Sequence, residues 1–173
     1  MGTGTVVSGF EIVDLIKRGA HRPESVPFAR YDGPHGPAEV VYGPGDYLTR
    51  VTGPHVPTLE IELGLRGRIG GGGNLRHPIA CRLGEREGSL QQPNWGWRRR
   101  ARAIHVSFPD REYRFLLDGV PARLLFERGG RQLATFSRRG QVAEWADPAD
   151  VPVILYLMRG DADLHGALTL GLM

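Results

Sequence analysis

Residues 103–119 read AIHVSFPDREYRFLLDG, and the fold is decided here. Ile104, Val106 and Phe108 alternate with polar neighbours, Pro109-Asp110 breaks the run, and Tyr113, Phe115 and Leu117 alternate again before Asp118-Gly119. Period two puts one set of side chains on a core and the other in water, and two such runs separated by a short turn are two strands of an antiparallel meander. Working downstream, the same grammar recurs at Arg123–Arg128, Gln132–Ser137 and Gln141–Trp145, separated by Gly129-Gly130 and Arg139-Gly140. Leu124, Phe126, Ala134 and Phe136 are the inward candidates.

Working upstream, Gly33-Pro34, Gly43-Pro44 and Gly53-Pro54 recur every ten residues. They separate short segments rich in Val, Tyr and Thr, so Ala38–Tyr42 and Tyr47–Thr52 read as neighbouring strands. From Thr58 to Ile69, Leu59, Ile61, Leu63, Leu65 and Ile69 alternate with Glu60, Glu62, Arg66 and Arg68, a half-buried strand. Gly70–Gly73 ends it, Ile79–Leu83 is a further short strand, and the polar run from Gly84 to Pro93 reads as a loop.

Two segments break the pattern. Ser8 and Glu11 have capping-box spacing, Val7 and Ile12 suit a hydrophobic staple, and Gly19 stands where a helix would stop, which predicts a short helix over 9–18. A strand is the competing reading, since Phe10, Ile12 and Val13 are tolerated in either. Val151–Met158 is apolar on every side and is preceded by Asp147, Pro148, Asp150 and Pro152, which suit a helix start. It reads as a short helix buried inside the protein, with a central strand as the alternative.

Composition agrees. The 25 Gly and 13 Pro among 173 residues leave no stretch free of both longer than Trp97 to Phe108. Long helices, coiled coils and a membrane-spanning helix are thereby excluded, the last needing about 20 apolar residues. The chain suits a single mainly β domain over residues 1–173, an antiparallel meander closing into a barrel. Cys81 is the only cysteine, so no intramolecular disulfide is expected, and with no basic, apolar leader in residues 1–7 a cytoplasmic location is expected.

Net charge is +3, but unevenly spread: residues 1–81 balance, 82–141 carry thirteen Lys or Arg against six Asp or Glu, and 142–173 carry one against five. The excess centres on Trp95-Gly96-Trp97-Arg98-Arg99-Arg100-Ala101-Arg102. Indole rings suit a bilayer interface and clustered Arg attracts anionic headgroups, so Trp95, Trp97, Arg98, Arg99, Arg100 and Arg102 are the candidate ligand-binding residues, for an anionic membrane surface or an acidic protein partner. The competing reading is a strand entrance whose indoles cover the core while the Arg heads reach water. Nucleic acid fits the cluster less well.

No other constellation points to chemistry. The six His lack the three- to five-residue pairing of a helix-borne metal site, although His35 and His55 share a Gly-Pro-His context and could meet across turns. Gly73 is followed by Asn74-Leu75-Arg76-His77-Pro78, without the Lys and Ser or Thr of a phosphate loop. No catalytic residue, cofactor or metal is expected, and Gly70–Gly73 as the lid of an enzyme is the remaining alternative.

The segment 97–164 resembles the tubby-like barrels, and among them the family of LURP-one-related proteins and phospholipid scramblases. The resemblance is carried by the order Arg98-Arg99-Arg100, Tyr113-Arg114-Phe115, Leu125-Phe126-Glu127-Arg128-Gly129-Gly130, Ala134-Thr135-Phe136, Trp145 and the Asp-Pro lead-in to Val151–Met158. It implies a closed barrel of about twelve strands around a buried helix and, for some members, phosphoinositide binding. It does not imply catalysis.

Overall fold

The computed structural model describes residues 6–17, 20–43, 48–62, 75, 77–93, 102–119 and 123–160. Twelve antiparallel strands close into one barrel: β1 Val7–Asp14, β2 Ala29–Asp32, β3 Ala38–Tyr42, β4 Leu48–Gly53, β5 Val56–Glu62, β6 Ile79–Leu83, β7 Arg86–Gln91, β8 Ile104–Phe108, β9 Arg111–Asp118, β10 Arg123–Arg128, β11 Arg131–Phe136 and β12 Gly140–Ala143. Each strand pairs with its neighbours in the chain, and β1 closes the ring by pairing Val7 with Ala143 and Phe10 with Gly140 of β12. Closure leaves no strand edge in solvent.

The alternation read from sequence positions the core. Ile104, Val106, Phe108, Tyr113, Phe115, Leu117, Leu124, Phe126, Ala134, Leu59 and Ile61 are all buried, and Phe136 is half-buried against the same core. Between Phe126 and Glu127 the β10–β11 register shifts, so that Leu133 is buried beside Ala134. This is the signature of a β-bulge, in which one extra residue breaks the alternation. On the outer wall, Arg50 and Arg82 of β4 and β6 flank Glu60 of β5 across the ladder, with Arg50 Nη2 2.9 Å from Glu60 Oε1.

The interior is filled by the chain itself. Asp150–Leu155 forms helix α1, which continues as a π-helical turn over Tyr156–Gly160, and all eleven residues are buried. A segment that is apolar on every side satisfies its backbone internally as a helix, and an enclosing wall of inward β side chains is the surface that buries it.

Two expectations are corrected. Residues 9–18 are not a helix: β1 runs through Val7–Asp14, pairing with β12 through Val7–Phe10 and with β2 through Glu11–Asp14. A helix there would strand the N–H and C=O groups of β12 and β2, whereas the strand satisfies both edges at once. Nor is the run from Gly84 to Pro93 a loop, since Arg86–Gln91 is β7, paired with β6 and β8. Its polar side chains face water on the outer wall, and only Leu90 is fully buried. The residues read as the continuation of β5 beyond Glu62, and Leu168, Leu170 and Leu172 read as a last strand, lie outside the described residues.

Candidate functional site

Strict antiparallel order sends successive connections to alternate ends of the barrel. At the end where α1 begins lie residues 33–37, 54–55, 84–85, 109–110, 129–130 and 144–149, with no Lys or Arg and four Asp or Glu between them. At the other end the described residues of the connections, 15–17, 20–28, 43, 75, 77–78, 92–93, 102–103, 119 and 137–139, carry five Lys or Arg (Lys17, Arg22, Arg102, Arg138 and Arg139) and one acid, Glu24. Among the described connections, one end of the barrel is acidic and the other basic.

At the acidic end the charges are organised into a network around the start of α1. Asp150 is fully buried; its Oδ1 accepts from Tyr113 Oη at 2.8 Å and from Arg128 Nη1 at 3.0 Å, and its Oδ2 accepts from the Asp147 amide at 2.8 Å. Asp147 accepts from Arg111 Nη1 at 3.0 Å, from Arg128 Nη1 at 2.6 Å and from the Ala149 amide at 2.9 Å. Asp147 and Asp150, which the sequence suggests as helix caps, therefore serve mainly as anchors. The capping position itself is Ala149, with no side-chain bond. Arg111 opens β9 and Arg128 closes β10, beside the β8–β9 and β10–β11 turns, so the network ties two hairpins to the helix.

Burial pushes the Asp150 carboxyl above its ordinary value despite these donors. For Asp147 burial also opposes ionisation, but the hydrogen bonds from Arg111 and Arg128 outweigh it and hold the carboxyl below its ordinary value. Burial likewise raises the Tyr113 phenol. Beside the network, Asp110, Glu112, Gly129, Arg131 and Trp145 help line an open depression of about 430 Å³, in which the Arg128 and Arg131 guanidinium carbons lie 4.8 and 4.5 Å from the Trp145 ring centroid. With Arg111 and Arg128 already neutralised by Asp147 and Asp150, this end is built as a clamp on the helix and is poorly suited to an anion.

Trp95, Trp97, Arg98, Arg99 and Arg100 lie outside the described residues, in the sequence between β7 and β8. The sixth candidate, Arg102, is a correction: its side chain is buried, not presented to a partner, and its carbonyl accepts from Gln92 Nε2 at 2.6 Å. The chain turns here into β8, and the adjoining Ala103 packs on Leu116 and Leu125, which face outward from β9 and β10. Arg102 is therefore turned inward, and no local sequence signal announces it.

The basic end holds residues that sequence reasoning passed over. Arg22 places its guanidinium carbon 4.1 Å from the Phe28 ring centroid and donates to Tyr42 Oη at 3.2 Å, while Arg159 at the end of the π-helical turn donates to Asp14 Oδ1 at 2.9 Å. Lys17, Arg138 and Arg139 are exposed. Spacing alone could not find them, because they meet only when the ring closes.

Among the described residues no group of three His, Cys, Asp or Glu is placed to hold a metal ion. His35 Nε2 lies 3.0 Å from the Ala146 carbonyl, fastening the β2–β3 turn to the lead-in of α1. Cys81 faces the core, and burial pushes its thiol up to about 12. Gly70–Gly73, the suggested lid, lies outside the described residues. No protein-family profile, curated protein or solved structure matches the chain.

Proposed function

We propose that this chain is a non-enzymatic binding module, a tubby-like barrel whose basic end docks on an anionic membrane surface, with Trp95, Trp97, Arg98, Arg99 and Arg100 in the contact. The observation that carries the reading is the difference in charge between the two ends: the described connections at one end carry five Lys or Arg and one acid, those at the other no Lys or Arg and four acids, and the run Trp95-Gly96-Trp97-Arg98-Arg99-Arg100 falls in the sequence between β7 and β8. A field so divided orients a protein over an anionic plane before contact, and each basic residue near the surface adds about 1 kcal/mol of attraction. The interior also directs binding outward, because the barrel encloses its own helix where a ligand would otherwise sit. The resemblance in residues 97–164 and the enclosed helix favour the same class. A cytoplasmic location, peripheral at the membrane, goes with it.

The test is co-sedimentation with phosphatidylcholine vesicles, with and without phosphatidylserine, at low and at physiological ionic strength. Binding confined to the anionic vesicles, weakened by salt and by the triple change Arg98→Ala, Arg99→Ala, Arg100→Ala, is the expected result. Equal behaviour toward both vesicles removes the reading. The same polarity also suits an acidic protein partner; that reading takes over if vesicles are not bound and the triple variant loses partners from lysate that the wild type retains.

A further inference from the structure

Only four large apolar side chains are strongly exposed among the described residues: Val6, Val7, Leu15 and Val26. Val6 and Val7 open β1 at the acidic end. Leu15 and Val26, 40 % and 42 % exposed, both belong to the β1–β2 connection at the basic end. That connection is braced from below. The Leu15 and Ile16 amides donate to the Phe28 carbonyl at 3.0 and 3.3 Å, the Ser25 amide to the Tyr42 carbonyl at 2.7 Å, and Arg22 covers the Phe28 ring. Leu15 and Val26 are thus held outward on a fixed base, and little ordering remains to be done on binding.

Basic residues flank them. Lys17 follows Leu15 by two positions, and Arg138 and Arg139 form the β11–β12 turn, which is adjacent on the rim because β1 pairs with both β2 and β12. All three are exposed, and none forms an ion pair among the described residues. Glu24 is the one exposed acid within the same connection.

We infer that Leu15 and Val26, flanked by Lys17, Arg138 and Arg139, are an interfacial anchor that enters the headgroup boundary of an anionic bilayer and stands the barrel end-on. This rests on the proposed role of the basic end and adds to it a second, apolar contact. An anionic bilayer offers both partners at once, acyl chains for the aliphatic side chains and headgroups for the cations.

The full chain is compared with Leu15→Ser/Val26→Ser and with Arg138→Ala/Arg139→Ala, using phosphatidylcholine vesicles with and without phosphatidylserine, over a range of salt. The first pair is expected to lower the partition coefficient roughly tenfold without changing its salt dependence. The second is expected to lower it about tenfold or more at low salt and to flatten the salt dependence. As all four sites are exposed, unchanged melting temperatures will show that the fold survives. Nitroxide labels at Leu15→Cys and Glu85→Cys, with Cys81 buried and left unlabelled, add a depth reading: the first is expected to be shielded from an aqueous relaxation agent on vesicles, the second not.

If Leu15→Ser/Val26→Ser binds like the wild type, or both labels stay in water, while Arg98→Ala/Arg99→Ala/Arg100→Ala loses binding, the anchor is overturned and the basic-end reading stands. If the wild type itself ignores anionic vesicles, or binds RNA in their place, both fall.

Discussion

Asp150 shows at the residue scale what one buried charge contributes to this barrel. Its carboxylate lies inside the wall with Tyr113, Arg128 and the Asp147 amide as donors. Removing it leaves Arg128 and Arg111 facing a hole, and a buried ion pair broken from one side typically costs about 3–5 kcal/mol. Asp150→Ala is expected to lose stability of that order in urea unfolding, and Asp150→Asn less. The two carboxyls respond to pH with opposite sign. Asp147, held low, contributes stability that is complete above the unfolded carboxylate value of about 3.9 and is lost as pH falls through its lower native value. Asp150, held high, takes up its proton more readily folded than unfolded, so that falling pH through its window favours the fold. Asp147→Asn should therefore flatten the decline of unfolding free energy below about pH 4, a titration that checks the assignment directly. Cys81, with its thiol near 12 and shielded by the wall, should react with a thiol reagent at neutral pH only at the rate of unfolding. In sequence these residues were visible singly: Asp147 and Asp150 mark a helix start, but their Arg partners lie 19 to 39 positions away, beyond the reach of any local pattern.

At the scale of the element, β1 is instructive because its local signals conflict. Ser8 and Glu11 have the spacing of a capping box, yet Phe10 is the buried residue of the strand, its ring 5.2 Å from Tyr31 and 6.2 Å from Phe136. Glycines make room for it. A Cβ at Gly140 would stand 2.5 Å from the Phe10 ring, and one at Gly33 2.6 Å from its Cβ. Phe10→Ala should cost about 3–5 kcal/mol. Ser8→Ala, which would cost about 1 kcal/mol in a capped helix, should fall within about 0.5 kcal/mol, since Ser8 is exposed on a strand; equilibrium unfolding of both variants decides between the two structures. The strands at 104–108, 111–118 and 123–128 could be read in advance because each carries its own alternation of apolar and polar residues. β7 could not, because its polar run Arg86-Glu87-Gly88-Ser89 is made a strand by β6 and β8 on either side.

For the whole molecule, closure is the governing event, and it joins residues 7–10 to 140–143. A chain lacking residues 1–14 would expose one edge of β2 and one of β12, and it should associate in a concentration-dependent way visible by light scattering, where the full chain does not. Closure also brings distant cations together: Lys17 is more than a hundred residues from Arg138 and Arg139 in sequence and shares one rim with them only because β1 lies between β2 and β12. The sequence by itself determined the class of structure. Period-two alternation, Gly and Pro at regular intervals and one all-apolar segment are local signals, each set by how a side chain must face core or water. Only the tertiary structure decided that residues 7–14 form a strand, that Arg102 turns inward, that Arg111 and Arg128 clamp the helix, and that Lys17 shares a rim with Arg138 and Arg139. Those outcomes depend on which edges need partners and which charges meet across the ring, and such demands arise only when distant parts of the chain are brought together.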